Sequence, residues 1–416
     1  MTQSAKGPAG AEGHPHPSGE SKLQEILLVA AQKFHDQGFD ATSLDDIAGE
    51  VHLHKATLYH YVRSKHDILY RCLSRSFADY DQTLERIKDR SIPMRERLAF
   101  FFMTFANAQL NEYGRCVSAV GAQALRHEEG DRIRTFQRGL NNAVIGLLRE
   151  GIESGELREI HAETASALIF GSFQWIWRWY VPGRSITLQD VIDTFLDFFL
   201  RGFSARPINA GAIDVTASAE LANADGDGIT PKHHDILMAA AQCFSDLGYE
   251  ATSLNTIAAK VKLHKATLYH YVPSKEALLF QCLRASFAGL DAFEVRIADP
   301  TLPPETRFAL FLNALIQAQN NDLGRCLNLI GPHPLKGEYS RKIIDFQKRL
   351  ENILRRIHAD AVAAGIFRDI HAGLMTAYVF GATNRVPHWF HSGPGRGIEV
   401  VDAQFRDLFL NGVLAR

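Results

Sequence analysis

The chain is written twice. Offset by 210 residues, the sequence lies over itself without a gap: ATSLDDIAGEVHLHKATLYHYV from Ala41 returns as ATSLNTIAAKVKLHKATLYHYV from Ala251. The register holds far downstream, where Gly114-Arg115-Cys116 meets Gly324-Arg325-Cys326, Phe136 meets Phe346, His161 meets His371 and Trp179 meets Trp389. Solenoid units repeat every 20–50 residues or so, and a period this long is a whole domain duplicated. Whatever fold one copy adopts, the other must adopt too. What both copies keep marks shared function, and what one copy alone keeps marks specialisation.

Each copy, at roughly 185 residues, is long enough to bury its own core. A net charge of −2 excludes a blanket polyanion binder, so any nucleic-acid contact has to be local. The first twenty residues are rich in Gly, Pro and Ser and contain no apolar run, which predicts a disordered tail over 1–20 rather than a signal peptide. The five cysteines form no CxxC. Four of them pair across the repeat, Cys72 with Cys282 and Cys116 with Cys326, inside apolar helical sequence. Reduced core thiols in a cytoplasmic protein are expected. The most membrane-like run, 165–181, carries Gln174 and Arg178 and falls short of the roughly 20 residues a span needs, so a buried helix is expected there.

Helical periodicity dominates, and nothing alternates long enough for a sheet. In the first copy Ile26, Leu27, Ala30, Ala31 and Phe34 form a stripe that stops at Gly38. Ser43 is placed to cap a short helix over 44–51, and a second short helix covers 55–62 after the turn His52-Leu53-His54. Ser64 caps the next. Further helices are predicted after Pro93, over 117–125, 131–154, 162–181 and 187–203. Residues 206–230, small and polar, read as a linker that as a flexible coil spans about 27 Å on average and roughly 80–90 Å at most.

Two short helices joined by a tight turn, the second with a polar outer face, describe a helix-turn-helix. Leu58 and Val62 face inward, which leaves His54, Lys55, Thr57, Tyr59 and His60 outward. Such side chains suit a groove: lysine reaches phosphate or guanine, Thr and His bond base edges, and a Tyr hydroxyl reaches the backbone. Thr42, Ser43 and Lys65 add donors beside helix starts that favour phosphate. The second copy repeats the set as Thr252, Ser253, His264, Lys265, Thr267, Tyr269, His270 and Lys275. The outward face recurs unchanged, although Asp45, Asp46, Gly49, Glu50 and His52 beside it all change.

On these residues the sequence resembles the TetR family of transcriptional regulators. ILLVAAQKFHDQGFDATSLDDIA is similar to the family's first helix and the start of its second, HKATLYHYVRSKHDILYRCL to its recognition helix and fourth helix, and GSFQWIWRWYVPG with DVIDTFLDFFLRGF to the end of its regulatory domain. One departure is Val62 and Val272, where the family favours an aromatic residue, read as a core substitution. The resemblance implies an all-α fold of two tandem TetR-like units, each a three-helix DNA-binding domain followed by a helical regulatory domain. The expected division is 21–80 and 81–205, the linker 206–230, then 231–290 and 291–416. It implies a double-stranded DNA operator as partner, a repressor role, and pairing through the last two helices of each regulatory domain. Half-sites one turn apart, about 34 Å, demand two reading heads. An intrachain pseudo-dimer of the two halves is favoured over a homodimer of chains, because the linker reaches far enough and both copies keep an apolar seam (Val191, Phe195, Phe199, Phe203 and Val401, Phe405, Phe409, Val413). Ile192 and Leu196 become Asp402 and Arg406, which points to complementary rather than identical seams.

The copies differ elsewhere. From 41 to 65 three acids balance three bases, whereas 251–275 holds Lys260, Lys262, Lys265 and Lys275 with no acid, a formal +4. The second head is expected to anchor more strongly with the same base preference. Trp175 and Trp177 become Arg385 and Pro387, and Gly121-Ala122-Gln123-Ala124 becomes Gly331-Pro332-His333-Pro334, in segments that border the effector pocket in TetR-like proteins. A small apolar or aromatic effector bound in the first half alone, against Phe101, Phe105, Phe136, Phe173 and Trp175, is the expectation, with plain core packing the simpler account of the tryptophans. Helical spacing places Trp175 and Trp179 on one face and Trp177 on the other. The histidine pairs His14/His16, His52/His54 and His233/His234 lack ligand spacing, so no metal, no cofactor and no enzymatic site is expected. The rival reading, a helical ligand carrier or enzyme that no longer reads DNA, needs the loss of Lys55 or Tyr59 or their copies, and all are present.

Overall fold

The computed structural model of the chain describes residues 19–39, 41–76, 80–114, 125, 127–215, 230–249, 251–286, 294, 297, 299–321, 323–324, 335–390 and 397–415. The fold is all-α. The first copy runs through α1 (Gly19–Gln37), α2 (Leu44–Glu50), α3 (Lys55–Leu58), α4 (Lys65–Ser76), α5 (Tyr80–Lys88), α6 (Met94–Leu110), α7 (His127–Glu153), α8 (Ala162–Gln174), α9 (Ile176–Trp179) and α10 (Leu188–Arg201). The second follows as α11 (Pro231–Leu247), α12 (Leu254–Lys260), α13 (Lys265–Tyr271), α14 (Lys275–Ser286), α15 (Pro304–Asn320), α16 (Gly337–Ala363), α17 (Ala372–Asn384), α18 (Val386–Trp389) and α19 (Ile398–Asn411). Among the described residues there is no strand beyond two isolated bridges, and no helix is long and apolar enough to cross a membrane. Of the expected tail 1–20 only Gly19 and Glu20 are described, and they open α1. Cys116, Cys326 and the segments 117–124 and 331–334 lie outside the described residues, as does most of 216–230.

The chain forms two compact units, residues 1–77 with 111–133, and residues 78–110 with 134–416. The first holds one reading head. Its core joins Ile26, Leu27, Ala30 and Phe34 of α1 to Ile47, Leu58, Val62, Ile68, Leu69 and Cys72, closed by Leu125 and Ile133. Each Ile, Leu, Val or Phe side chain among them contributes about 1.5–3 kcal/mol when fully buried. Val62 is part of this core, which accounts for the departure from the family's aromatic residue.

The second unit holds the other head, on the matching core of Ile236, Leu237, Phe244, Ile257, Leu268 and Val272, and both regulatory copies apart from residues 111–133. The regulatory copies pack on each other, and their contacts are reciprocal under the 210-residue exchange. The Phe203 amide donates to Phe409 O at 2.8 Å, and Val413 returns the bond to Phe199 O at 3.1 Å. Ser204 donates to Leu410 O and Leu414 to Leu200 O, each at 2.9 Å. Arg158 bonds Gly412 O and pairs with Asp407 at 2.6 Å, while Arg368 bonds Gly202 O and pairs with Asp197 at 2.7 Å. Helices α8 and α17 cross at Gly171 and Gly381, the same residue of each copy. A Cβ on Gly171 would fall 2.7 Å from Ala382 Cα, and one on Gly381 would fall 2.9 Å from Gly171 O, so only glycine allows this approach.

Three features differ from the sequence pattern. The predicted helix over 162–181 breaks at Trp175, whose φ of −109° and ψ of 12° separate α8 from α9. The break turns Trp177 back onto Trp175, with ring centres 6.0 Å apart, while Trp179 packs on Phe195. Straight-helix spacing therefore misassigned the faces. Next, the linker does not begin as a free coil: Ile208 and Asn411 exchange hydrogen bonds of 2.9 and 2.8 Å, and Arg406 donates to Ala210 O and Ile213 O. Finally, Asp402 and Arg406 do not complement the opposite seam. They pair with each other at 3.0 Å, one turn apart and buried, and Nη1 of Arg406 is spent on the linker.

Candidate nucleic-acid interface

The two heads are built alike. Ser43 and Ser253 cap α2 and α12 through their hydroxyls, accepting from Asp46 N at 3.0 Å and Thr256 N at 3.1 Å. In the first head Asp46 completes a capping box, and the Ser43 hydroxyl and amide hold its carboxyl below its ordinary pKa. The turn then places His52 and Lys262 in the left-handed region, both at φ 54°. Leu53 N bonds Ala48 O at 2.8 Å and Leu263 N bonds Ala258 O at 2.9 Å, closing the turn. Lys22 and Lys232 clamp it by donating to Val51 O and Val261 O, a role their positions on α1 and α11 do not announce.

Leu58 and Leu268 are fully buried beneath the second helix, and they fix which face is left outside. His54, Lys55, Tyr59 and His60 are exposed, with Thr57 half-buried among them, and His264, Lys265, Tyr269, His270 and Thr267 repeat the arrangement. Tyr59 and Tyr269 stand 51% and 45% exposed, far out for aromatic rings. The structure thus gathers five candidates per head on one open face. Ser43 and Ser253 stay exposed at its rim.

The remaining four candidates serve the fold. Thr42 and Thr252 are 1% exposed, and their hydroxyls donate inward, to Gly38 O and to Gly248 O at 2.8 Å each. Lys65 donates to Phe39 O at 2.6 Å and Thr42 O at 2.9 Å and lies over the Phe39 ring. Lys275 donates to Tyr249 O at 2.9 Å over the Tyr249 ring. These side chains tie α4 and α14 to the loop before α2 and α12, and they are corrected from phosphate donors to internal clamps.

The electrostatic setting separates the heads. Lys55 Nζ is 2.7 Å from Asp45, whose carboxylate raises the lysine pKa through a direct hydrogen bond, and Lys33 pairs with Glu50 at 3.1 Å. In the second head Asn255 replaces Asp45, Lys260 replaces Glu50 and Cys243 replaces Lys33. Lys265 instead lies 5.8 Å from the centre of its neighbour Tyr269. Lys260 and Lys262, which the sequence singled out only by charge, line a groove of about 650 Å³ with Lys232 and Asp235.

The effector candidates divide. Phe101, Phe105 and Phe173 are buried in one aromatic cluster with Phe102 and Phe170, Phe101 stacking on Phe105 at 5.8 Å. Trp175 is half-buried at the end of α8. Phe136 packs on Tyr80 at 5.5 Å. Among the described residues no group of His, Cys, Asp and Glu is placed to hold a metal ion.

Comparison with known proteins matches this architecture twice over. The family described as bacterial regulatory proteins of the tetR family matches residues 26–72 and 236–282, and the tetracyclin repressor-like C-terminal domain matches 91–203 and 301–413. The chain belongs to the TetR family. It is a DNA-binding transcriptional regulator with that family's two domains in tandem. Among its relatives, the HTH-type transcriptional repressor KstR2 of Mycolicibacterium smegmatis is 26% identical over 189 residues, covering 44% of this chain and 91% of the relative. The fatty acid metabolism regulator protein of Bacillus subtilis is 21% identical over 184 residues, 44% of this chain and 95% of the relative. Each relative is thus nearly spanned by less than half of this TetR-family chain. Among solved structures, KstR2 of Mycobacterium tuberculosis matches at a TM-score of 0.39 and 26% identity, covering 43% of this chain and 92% of that one. AibR, crystallised with isovaleryl coenzyme A and operator DNA, matches at 0.39 and 19%, covering 42% and 97%.

Proposed function

We propose that one chain is a complete operator-binding repressor, an intrachain pseudo-dimer in which the regulatory copies pair as two subunits would and a small apolar or aromatic effector releases it from double-stranded DNA. The observation that carries this reading is the reciprocity of the seam: Gly171 meets Gly381, and Phe203–Phe409 is answered by Val413–Phe199. Self-complementary contact of this kind is the signature of a two-fold interface. Arg406 and Asn411 favour pairing within the chain, since they hold the linker that joins the halves. His54, Lys55, Thr57, Tyr59 and His60 with Ser43, and their copies, are the DNA-contacting side chains.

The effector is assigned to the first half, against Phe101, Phe105, Phe173 and Trp175, with Phe136 further along the same copy. A relative named as a regulator of fatty acid metabolism supports an apolar ligand. Binding releases DNA only to the extent that it favours a conformation with the heads misplaced.

Light scattering on the full chain, alone and with a two-half-site operator selected from random DNA, tests the assembly. A species near the 46.4 kDa of one chain, bound one to one, is expected. An obligate species of twice that mass, undissociated on dilution, would instead mean that chains pair with chains.

A further inference from the structure

Arg385 ends α17 and is the counterpart of Trp175 in the first copy. It reaches across to that copy. Its Nη1 donates to Gln174 Oε1 at 3.0 Å, and its guanidinium lies 5.6 Å from the centre of the Phe170 ring. Phe170 packs edge-on against Phe101 at 5.5 Å and Phe105 at 5.0 Å. A cation of the second half therefore stands at the rim of the first half's aromatic cluster. Among the described residues no carboxylate pairs with it, and burial draws its pKa down to about 10, so it stays charged at neutral pH. Arg385 is half-buried, and a guanidinium partly withdrawn from water and left with one neutral acceptor is costly, so sites that keep such a group commonly use it. Beside Gln174, the Trp175 indole N–H is buried and meets no acceptor among the described residues. Two hydrogen-bond donors, one of them charged, thus belong to the end of α8 with one acceptor between them: Arg385 bonds Gln174, and Trp175 is the next residue.

We propose that Arg385, with the Trp175 N–H, binds the carboxylate head of an apolar acid whose hydrocarbon or aryl body lies against the Phe101–Phe105–Phe170 cluster. The proposal rests on the effector reading above and names the ligand class of that site. One planar guanidinium matches one carboxylate, whereas a phosphate's second charge would need a further cation. The site is composite, because the first half supplies the wall and the second half the charge. It also occurs once per chain. In the second copy Leu315 and Thr383 stand where Phe105 and Phe173 do, and the residue that would reach it from the first copy is Trp175 rather than an arginine.

The test uses the full chain and two matched probes, dodecanoate and dodecanol, with tryptophan fluorescence and calorimetry as readouts. The wild type is expected to bind one dodecanoate per chain at least about 10-fold more tightly than dodecanol, the gain of a charge-assisted hydrogen bond. Arg385→Gln should erase that preference by weakening dodecanoate far more than dodecanol, while leaving operator affinity unchanged. Arg385→Trp, which makes the second copy match the first, should do the same. Equal binding of acid and alcohol by the wild type, or a preference surviving in Arg385→Gln, overturns the carboxylate assignment and leaves the apolar site standing. Binding of neither probe overturns both. The unfolding midpoint controls for folding: removing a half-buried charge with no carboxylate partner among the described residues should leave it level or raise it, and a collapse in both variants would mean that Arg385 is structural.

Discussion

The two reading heads carry the same outward residues in opposite electrostatic settings. In the first, Lys55 is held by Asp45 and Lys33 by Glu50, so each cation already has an anion before DNA arrives. In the second, the same face is flanked by Lys260 and Lys262 with no acid between 251 and 275. In the proposed function base edges fall to the outward face, which the copies share. Phosphate attraction is set by the flanks, which they do not. On that proposal, duplication separates what a head recognises from how hard it holds. A symmetric homodimer cannot separate these, because any change of flank appears in both subunits.

The largest expected effect removes what the heads share. Lys55→Ala with Lys265→Ala should lower affinity for a selected operator by at least about 100-fold, the loss of one specific charged contact from each head. Of the single variants, Lys265→Ala should cost more, because Lys55 must first leave Asp45. A gel shift at physiological salt reads this directly. An unchanged double variant would remove the lysines from the interface.

The exposure of the repeated polar face and the all-α fold were legible because the repeat supplied its own comparison: a position identical in both copies beside neighbours that had drifted. Direction was not legible. Thr42 and Lys65 also recur as Thr252 and Lys275, yet they recur because both copies need the same internal clamp. Recurrence marks importance, and only the tertiary placement of a hydroxyl or ammonium says for what. The tryptophans failed for another reason, since the break at Trp175 lies in a stretch whose pattern suits one continuous helix. Arg385 was visible as a difference from Trp175, but its lack of a counter-ion among the described residues is a property of the tertiary packing. The substitution alone could not reveal it.

The contrast of a neutral and a charged copy recurs in the last helices, where Ile192 and Leu196 face Asp402 and Arg406 as equivalents. Burial raises the Asp402 pKa from 3.8 to about 6, only partly opposed by Arg406. A carboxyl with a raised folded pKa contributes stability that is fully present below about pH 4 and lost as pH rises through about 6. The wild type should therefore lose stability relative to Asp402→Asn between pH 4 and 7.5. The loss should be no more than about 3 kcal/mol, since each tenfold change in proton affinity is worth about 1.4 kcal/mol. Urea unfolding of both proteins at the two pH values measures it. A difference that does not change with pH would show that Asp402 titrates as in the unfolded chain.

A smaller effect should follow from exchanging the flanks. Asp45→Asn with Glu50→Lys moves the first head's formal charge over 41–65 from 0 to +3, toward the second head's +4, and should raise affinity several-fold and steepen its salt dependence by about one unit of slope per added phosphate contact. Asn255→Asp with Lys260→Glu should do the reverse. Base preference, read by selection from random DNA, should stay the same in both. A changed operator sequence would mean that the flanks also read bases.

The smallest effect comes from the turn, where the heads share a strain but not a charge. His52 and Lys262 both sit at φ 54°, a conformation that disfavours a residue with a Cβ and costs glycine nothing. His52→Gly and Lys262→Gly should each relieve it, offset in part by the extra freedom of glycine in the unfolded chain, for a net gain of up to about 1 kcal/mol. The amides of Leu53 and Leu263, which close the two turns onto Ala48 and Ala258, report that gain locally as slower hydrogen exchange, by up to about five-fold. If the strain is common to both heads, the two amides should slow alike. DNA binding should still tell the heads apart, because only Lys262→Gly removes a cation and should flatten the salt dependence. Equal salt slopes in the two variants would place Lys262 outside the phosphate field, and the second head's stronger hold would then rest on Lys260 and Lys265.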